Sequence, residues 1–315
     1  MLQAGWITPR GIGTRIAAAA LLALAVPAGA QQKAPPAPAS ALDRIKSSAT
    51  IKLGYVENAR PFSFKGSAGQ ADGYAVGLCQ GVAESIKSDL GLGSLNVQWV
   101  AVSEADQLTA LQQGTIDLLC ATARETLTSR KQAGFSIPIY PDGIGALIRT
   151  DAPTRLRDVL TNRKSSQPNW RASATQLLQT QIFTVVGGTP AASWLDAKMN
   201  EFQLTAKVSP TDSYDAAVKM LIDRKANVVF GEVGALLDAR QRSSSAGSLV
   251  RVERIWTYEP VAIGLGLGNW ELRLAVDRAL SRIYVSNGFK DLFTKWFGMP
   301  DDNTLLYFKW AALPE

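Results

Sequence analysis

The 315-residue chain contains no histidine. That absence excludes a Ser-His-Asp triad, a histidine-ligated metal and a histidine general base together. Cysteine is almost as scarce. Cys79 and Cys120 are the whole supply, too few for a structural zinc site on their own. No metal or other cofactor is expected. Dense Lys/Arg runs and the aromatic-basic interleaving of a nucleic-acid surface are also missing, so no nucleic-acid partner is expected. The formal net charge of +6 is scattered along the chain and reads as solubility charge with some attraction for anionic ligands. No apolar run reaches the ~20 residues that a membrane-spanning helix needs.

What is present starts with an export pattern. Arg10 and Arg15 make a positive segment, residues 16–26 (IAAAALLALAV) an apolar one, and Ala28-Gly29-Ala30 a small-x-small cleavage site. A secretory signal over residues 1–30 is predicted, with Gln31 as the mature N-terminus and a periplasmic destination. No cysteine at the cleavage site offers a lipid attachment point. Loss of Arg10 and Arg15 takes the charge from +6 to +4. Residues 31–41 are rich in Pro and Ala and read as a disordered linker. The remaining body of about 270 residues exceeds what one core usually supports, which predicts two lobes. In an oxidising compartment Cys79 and Cys120 read as one disulfide, although two buried free thiols fit the sequence too. The disulfide would close a loop worth about 3–4 kcal/mol in the chain-entropy model.

Hydrophobic periodicity supplies the elements. Residues 50–56 alternate, with Ile51, Leu53 and Tyr55 on one face, and predict a strand. Leu78, Val82, Ile86 and Leu90 form the stripe of a helix. Residues 95–102 predict a second strand, 104–113 a helix closed by Gly114, and 116–120 a short buried strand. This β-α-β-α-β order predicts an α/β fold with a doubly wound, mostly parallel sheet. The second half repeats the rhythm, with strands at 143–149, 182–186, 226–232 and 261–267. Ser213 is placed to cap a helix striped by Tyr214, Ala217, Val218, Leu221 and Ile222. Two helices close the pattern, one carrying Leu272, Val276, Leu280 and Ile283, the other at 288–297. Residues 162–181 break the rhythm and read as a polar surface insertion, with a short helix at SATQLLQTQ.

Five stretches, in their order and spacing, carry a resemblance: LDRIKSSATIKLGYVENARPFSF, GYAVGLCQGVAESI, LTALQQGTIDLLCA, RKQAGFSIPIY and GFKDLFTKWFG. From about Leu42 to Pro300 the chain resembles the family-3 extracellular solute-binding proteins, the polar amino-acid-binding proteins of bacterial ABC importers. Within them it is most similar to the glutamate/aspartate-binding branch, which shares a cysteine at the position of Cys120. The resemblance implies a two-lobed periplasmic-binding-protein fold of type II with two hinge strands. Lobe 1 would be residues 42–138 plus 261–300, lobe 2 residues 139–260, and 301–315 a C-terminal tail. It also implies a non-enzymatic monomer that captures an amino acid or related small carboxylate and delivers it to a membrane permease and its ATPase. Two other readings remain: a solute-sensing or accessory module acting in trans, and a dehydratase of prephenate-type substrates on the same fold.

A cleft for a zwitterion needs a forked cation for the carboxylate, an acid for the ammonium, and hydroxyl and backbone donors inside an apolar wall. By resemblance, Glu232 at the end of its strand takes the ammonium, or is a plain surface carboxylate. Thr189 in GGTP holds the carboxylate at a helix N-terminus, or simply caps that helix. Phe62, with Phe64, gives an aromatic wall or packs the core. Thr122 matches a rim hydroxyl, and Tyr214 falls where the glutamate branch has a ligand-facing His. The departures are at the cations. Ser129 stands where the family has its carboxylate-binding Arg, leaving Arg124 or Arg130 to replace it, Arg124 the better placed because it follows a strand end. Val56 stands where the acidic-ligand branch has another Arg, with Arg60 four residues on. Ala75 and Gly77 replace acids of the family's helix motif. The expected ligand is therefore not glutamate in the standard pose.

Overall fold

The structure is a computed structural model describing residues 40–163 and 174–314. The predicted signal peptide, residues 31–39 of the predicted linker and residues 164–173 of the predicted insertion lie outside the described residues. The linker's last residues are not linker: Ser40 caps a helix, Ala41–Ser48, in a capping box with Asp43. Ser40 Oγ accepts from the Asp43 N–H at 3.1 Å, which satisfies one of the first turn's free donors.

Two five-stranded sheets form the body. The first runs in the order Asn96–Ala101, Thr50–Tyr55, Leu118–Leu119, Val261–Leu265, Gly134–Tyr140. Its first three strands are parallel, and Val261–Leu265 is antiparallel to both neighbours. The second runs Lys207–Thr211, Ile182–Val186, Val228–Glu232, Ile144–Arg149, Leu249–Arg251. Again three strands are parallel and Ile144–Arg149 is antiparallel to its neighbours. The strand-helix alternation thus gives the parallel part of each sheet, while the antiparallel member belongs to the chain's passage between sheets. Gly134–Tyr140, which the periodicity passes over, is the strand leading into that passage.

Most residues of the predicted stripes are buried, while Leu90, Tyr214, Ile222 and Ile283 are half-buried. Leu78, Val82 and Ile86 of helix Tyr74–Asp89 lie in the first sheet's core beside Ile51 and Leu53. Ser213 caps helix Tyr214–Ile222, accepting from the Ala216 N–H at 3.2 Å. Inside the insertion, helix Ala174–Gln179 lies where SATQLLQTQ predicted one. Cys79 and Cys120 are joined, which settles the choice between disulfide and free thiols; the bond ties helix Tyr74–Asp89 to the end of strand Leu118–Leu119.

The predicted tail is corrected. Residues Asp302–Ala311 form a third closing helix, capped by Asp301, whose carboxylate accepts from the Thr304 N–H at 2.8 Å. Phe308 is buried against the rings of Tyr284, Phe289 and Phe293. The family signature ends before this helix, so the resemblance left it out, although an Asp cap before an apolar run announces it.

Two backbone segments, residues 141–143 and 252–260, join the sheets and run side by side. The Glu259 N–H donates to the Asp142 carbonyl at 2.9 Å, and the Trp256 N–H to the Ile144 carbonyl at 2.8 Å. The Ile144 N–H donates to Thr257 Oγ1 at 2.9 Å. At their closest point stands Gly143, with φ +153°, where a Cβ would lie 1.8 Å from the Thr257 carbonyl oxygen. Only glycine fits there.

Two stability measurements check this account. Cys79→Ala with Cys120→Ala is expected to lower the unfolding free energy by about 3–4 kcal/mol in urea titrations, and a reductant should change the parent protein but not the variant. Gly143→Ala is expected to cost more than about 1 kcal/mol. Gly93→Ala, at a site with open space around it, should be near neutral. Equal costs at the two glycines would refute the close crossing.

Candidate functional site

The three parallel strands of the second sheet end on one edge, and the residues that follow them gather there. Thr189 comes after Ile182–Val186, Ser213-Tyr214 after Lys207–Thr211, and Glu232 closes Val228–Glu232. In the first sheet, Leu118–Leu119 ends just before the stretch from Ala121 to Arg124. Carboxyl ends of parallel strands are where open α/β sheets place their ligand sites. The backbone at Arg124 is pinned by the returning chain: Arg124 bridges Val261, the Ala262 N–H donates to Ala123 O at 3.0 Å, and the Glu125 N–H to Pro260 O at 2.9 Å.

These ends meet in a charged cluster. Arg124 Nη2 lies 3.5 Å from Glu232 Oε1, and Arg124 Nη1 lies 3.2 Å from Glu259 Oε2. The Tyr214 hydroxyl donates to the other oxygen of Glu232. Glu232 is only 8% exposed, and these two partners satisfy its buried oxygens. Beneath them is Asp142, buried, with Oδ1 accepting from the Gly234 N–H at 3.1 Å. Of the predicted site residues, the structure brings Arg124, Tyr214 and Glu232 together.

Burial pushes the Asp142 carboxyl up to about 7. The Gly234 and Gly143 N–H groups and Arg124 pull it down, and the charge of Glu232 raises it further. Burial, then Glu232, push the Tyr214 hydroxyl well up, so it stays a donor. Asp142 and Glu259 were missed in the sequence. Each sits beside a strand end, in YPDG and in YEPVAIG, but only the crossing of the two connecting segments brings them to Arg124.

The other predicted residues lie differently. Phe62 is 2% exposed and packs edge-on against Tyr74 and Tyr140, 6.2 and 5.3 Å between centroids. It is a core residue, because Gly234 leaves room for its ring. Arg130 is exposed and paired with Glu125, which keeps it from the carboxylates above. Ser129 turns inward: its Oγ donates to the Arg124 carbonyl at 2.9 Å and accepts from the Thr126 N–H at 2.9 Å. It shapes the turn that carries Arg124. Arg60 bonds Asp238 at 3.1 Å, with its guanidinium 4.3 Å above the Phe64 ring. It ties the segment before strand Ser63–Lys65 to helix Val233–Arg242. Thr189 caps helix Pro190–Glu201, accepting from the Ala192 N–H at 3.3 Å and donating to Val186 O at 2.8 Å. Thr122 is half-buried, two residues before Arg124.

Among the described residues no group of three metal-ligating side chains comes together. The cluster presents one cation, carboxylates and a phenol. Residues 51–299 match the sequence profile of the bacterial extracellular solute-binding proteins, family 3. The glutamate/aspartate import solute-binding protein of Escherichia coli (strain K12) is 23% identical over 285 residues, spanning 90% of this chain and 88% of that protein. Two solved structures share the fold. The polar amino acid ABC uptake transporter substrate binding protein from Streptococcus thermophilus has a TM-score of 0.67 at 15% identity, covering 84% of this chain and 93% of that one. An ancestral amino-acid-binding protein, a precursor of cyclohexadienyl dehydratase, has a TM-score of 0.54 at 22% identity, covering 82% and 100%. With nearly the whole body of the chain matched, two sheets joined by paired crossings and a polar cluster at their carboxyl ends, the protein belongs to the bacterial extracellular solute-binding proteins, family 3.

Proposed function

We propose that the chain is the periplasmic substrate-binding component of an amino-acid-type ABC importer. It captures an amino acid or a related small carboxylate between its lobes, and passes it unchanged to a membrane permease driven by an ATPase. The observation that carries this reading is the Arg124–Glu232 pair, a cation and an acid facing each other from the strand ends of different sheets. A zwitterion inserted between them replaces one internal ion pair with two: its carboxylate meets Arg124 and its ammonium meets Glu232. Tyr214 keeps Glu232 oriented. Thr122 and the helix N-terminus at Thr189 complete the shell, while Arg130 stays with Glu125.

The lobes are residues 42–138 with 261–314, the closing helix included, and 139–260. Residues 141–143 and 252–260 are the hinge. A ligand that touches both lobes favours the closed form by its extra interactions there. Residues 1–30 direct export, and the protein acts as a monomer. The dehydratase reading gains its support from the ancestral relative above, and the fate of the ligand decides between the two.

A thermal-shift screen against amino acids and small carboxylates tests the reading. A true ligand at 100 times its Kd stabilises the protein by about 2.7 kcal/mol, and it is recovered chemically unchanged. Arg124→Ala is expected to weaken that ligand by about ten- to a hundredfold, and Arg130→Ala to leave it as it was. A screen in which no amino acid or carboxylate raises the melting temperature overturns the proposal; conversion of the ligand establishes the enzyme instead.

Asp142 adds a pH signature. Its folded-state value of about 7 lies above the ordinary value of about 4 for an unfolded Asp. Its contribution to stability is full below about pH 4 and lost as the pH rises to about 7. Asp142→Asn is expected to flatten the fall in unfolding free energy across that window. Parallel pH profiles for parent and variant would count against a buried, neutral Asp142.

A further inference from the structure

A second cavity lies in the second lobe, away from the carboxylates around Arg124. It measures about 290 Å³ and opens between helices Thr154–Thr161, Ala174–Gln179 and Pro190–Glu201. Its floor is three mutually packed rings. Trp194 lies 5.7 Å from Phe230 and 5.6 Å from Trp256, and Phe230 lies 5.5 Å from Trp256. Leu178 and Leu195 add apolar wall.

The charges at this cavity are unequal in their satisfaction. Lys198 lines it too, but is paired with Glu201. Arg254 is different. Its guanidinium lies 5.4 Å over the Trp256 ring, half-buried, with no carboxylate or carbonyl partner for its side chain among the described residues. The neighbouring Glu253 is taken by Arg163.

An unpaired fork of donors beside an aromatic floor has a specific complement. Guanidinium recognises a carboxylate through two parallel bonds, and ring faces and edges favour an aromatic body over an aliphatic one. A mostly apolar cavity with one convergent charged group is the usual form of a small-molecule site. We propose that this cavity is a second ligand site, taking a small aromatic monocarboxylate with its carboxylate on Arg254 and its ring against Trp194 and Trp256. It stands apart from the interlobe cleft and does not depend on the transport reading.

Phenylacetate and its neutral isostere phenylacetamide test the site on the full mature protein. By calorimetry, phenylacetate is expected to bind with a Kd of about 1 mM or lower and to shift the indole N–H signals of Trp194 and Trp256. It should bind about tenfold more tightly than the amide. Arg254→Gln is expected to erase that acid-over-amide preference, and Arg254→Lys to restore part of it. Arg124→Ala should leave phenylacetate binding in place, because that change acts in the other cleft. Equal affinity for acid and amide, loss of binding in Arg124→Ala, unmoved tryptophan signals, or no binding at ten times the expected Kd would each overturn the proposal.

Discussion

The two connecting segments that cross at Gly143 set the geometry of everything around the cleft. Their mutual hydrogen bonds, Glu259 N–H to Asp142 O and Trp256 N–H to Ile144 O, hold the two backbones together where a side chain would have no room. Asp142 and Glu259 therefore enter the cleft from the hinge itself. Arg124 belongs to the same assembly, because its backbone bridges Val261, the first residue of the strand that leaves the crossing. The paired backbone at this crossing leaves few soft torsions between the two sheets.

Much of the scaffold was legible in the sequence because it rests on local rules. Alternation in TIKLGYV and the Leu78-Val82-Ile86 stripe report which face meets a core, and Ser213 reports where a helix starts. Each of those signals lies within one element. The crossing does not, and the residues it assembles were the ones missed. Asp142 in YPDG looks like turn chemistry, and Glu259 before a strand looks like a solvated end. Phe62 was open on the sequence between a ligand wall and the core, and three-dimensional packing with Tyr74, Tyr140 and Phe297 claims the ring for the core. The C-terminal helix lay past the end of the family signature, and only its own cap and Phe308 announced it.

Ser129 and Arg124 together explain how the site departs from the pattern implied by resemblance. The position expected to hold a ligand-binding guanidinium is instead a hydroxyl that braces the turn beneath Arg124, through the Arg124 carbonyl and the Thr126 amide. Arg124, five residues earlier in the chain, is the guanidinium that approaches Glu232 and Glu259. Such a change keeps one forked cation in the cleft but alters its direction. A ligand shaped for the usual direction would lose charge-assisted bonds worth about 1.5–3 kcal/mol each.

Charge balance narrows that ligand further. Arg124 faces Glu232 at 3.5 Å and Glu259 at 3.2 Å, with Asp142 behind them ionising near pH 7. Two opposite charges about 4 Å apart attract by about 4 kcal/mol at the effective dielectric of a protein surface, but desolvation offsets much of that when the pair is partly buried. A ligand that supplies both an ammonium and a carboxylate can part Arg124 from Glu232 and return each charge an equivalent partner. A second carboxylate on such a ligand would meet Glu259 and Asp142, with no further cation in this cluster among the described residues. The same scaffold that resembles a glutamate/aspartate binder thus sets one guanidinium, that of Arg124, among the carboxyl groups of Glu232, Glu259 and Asp142.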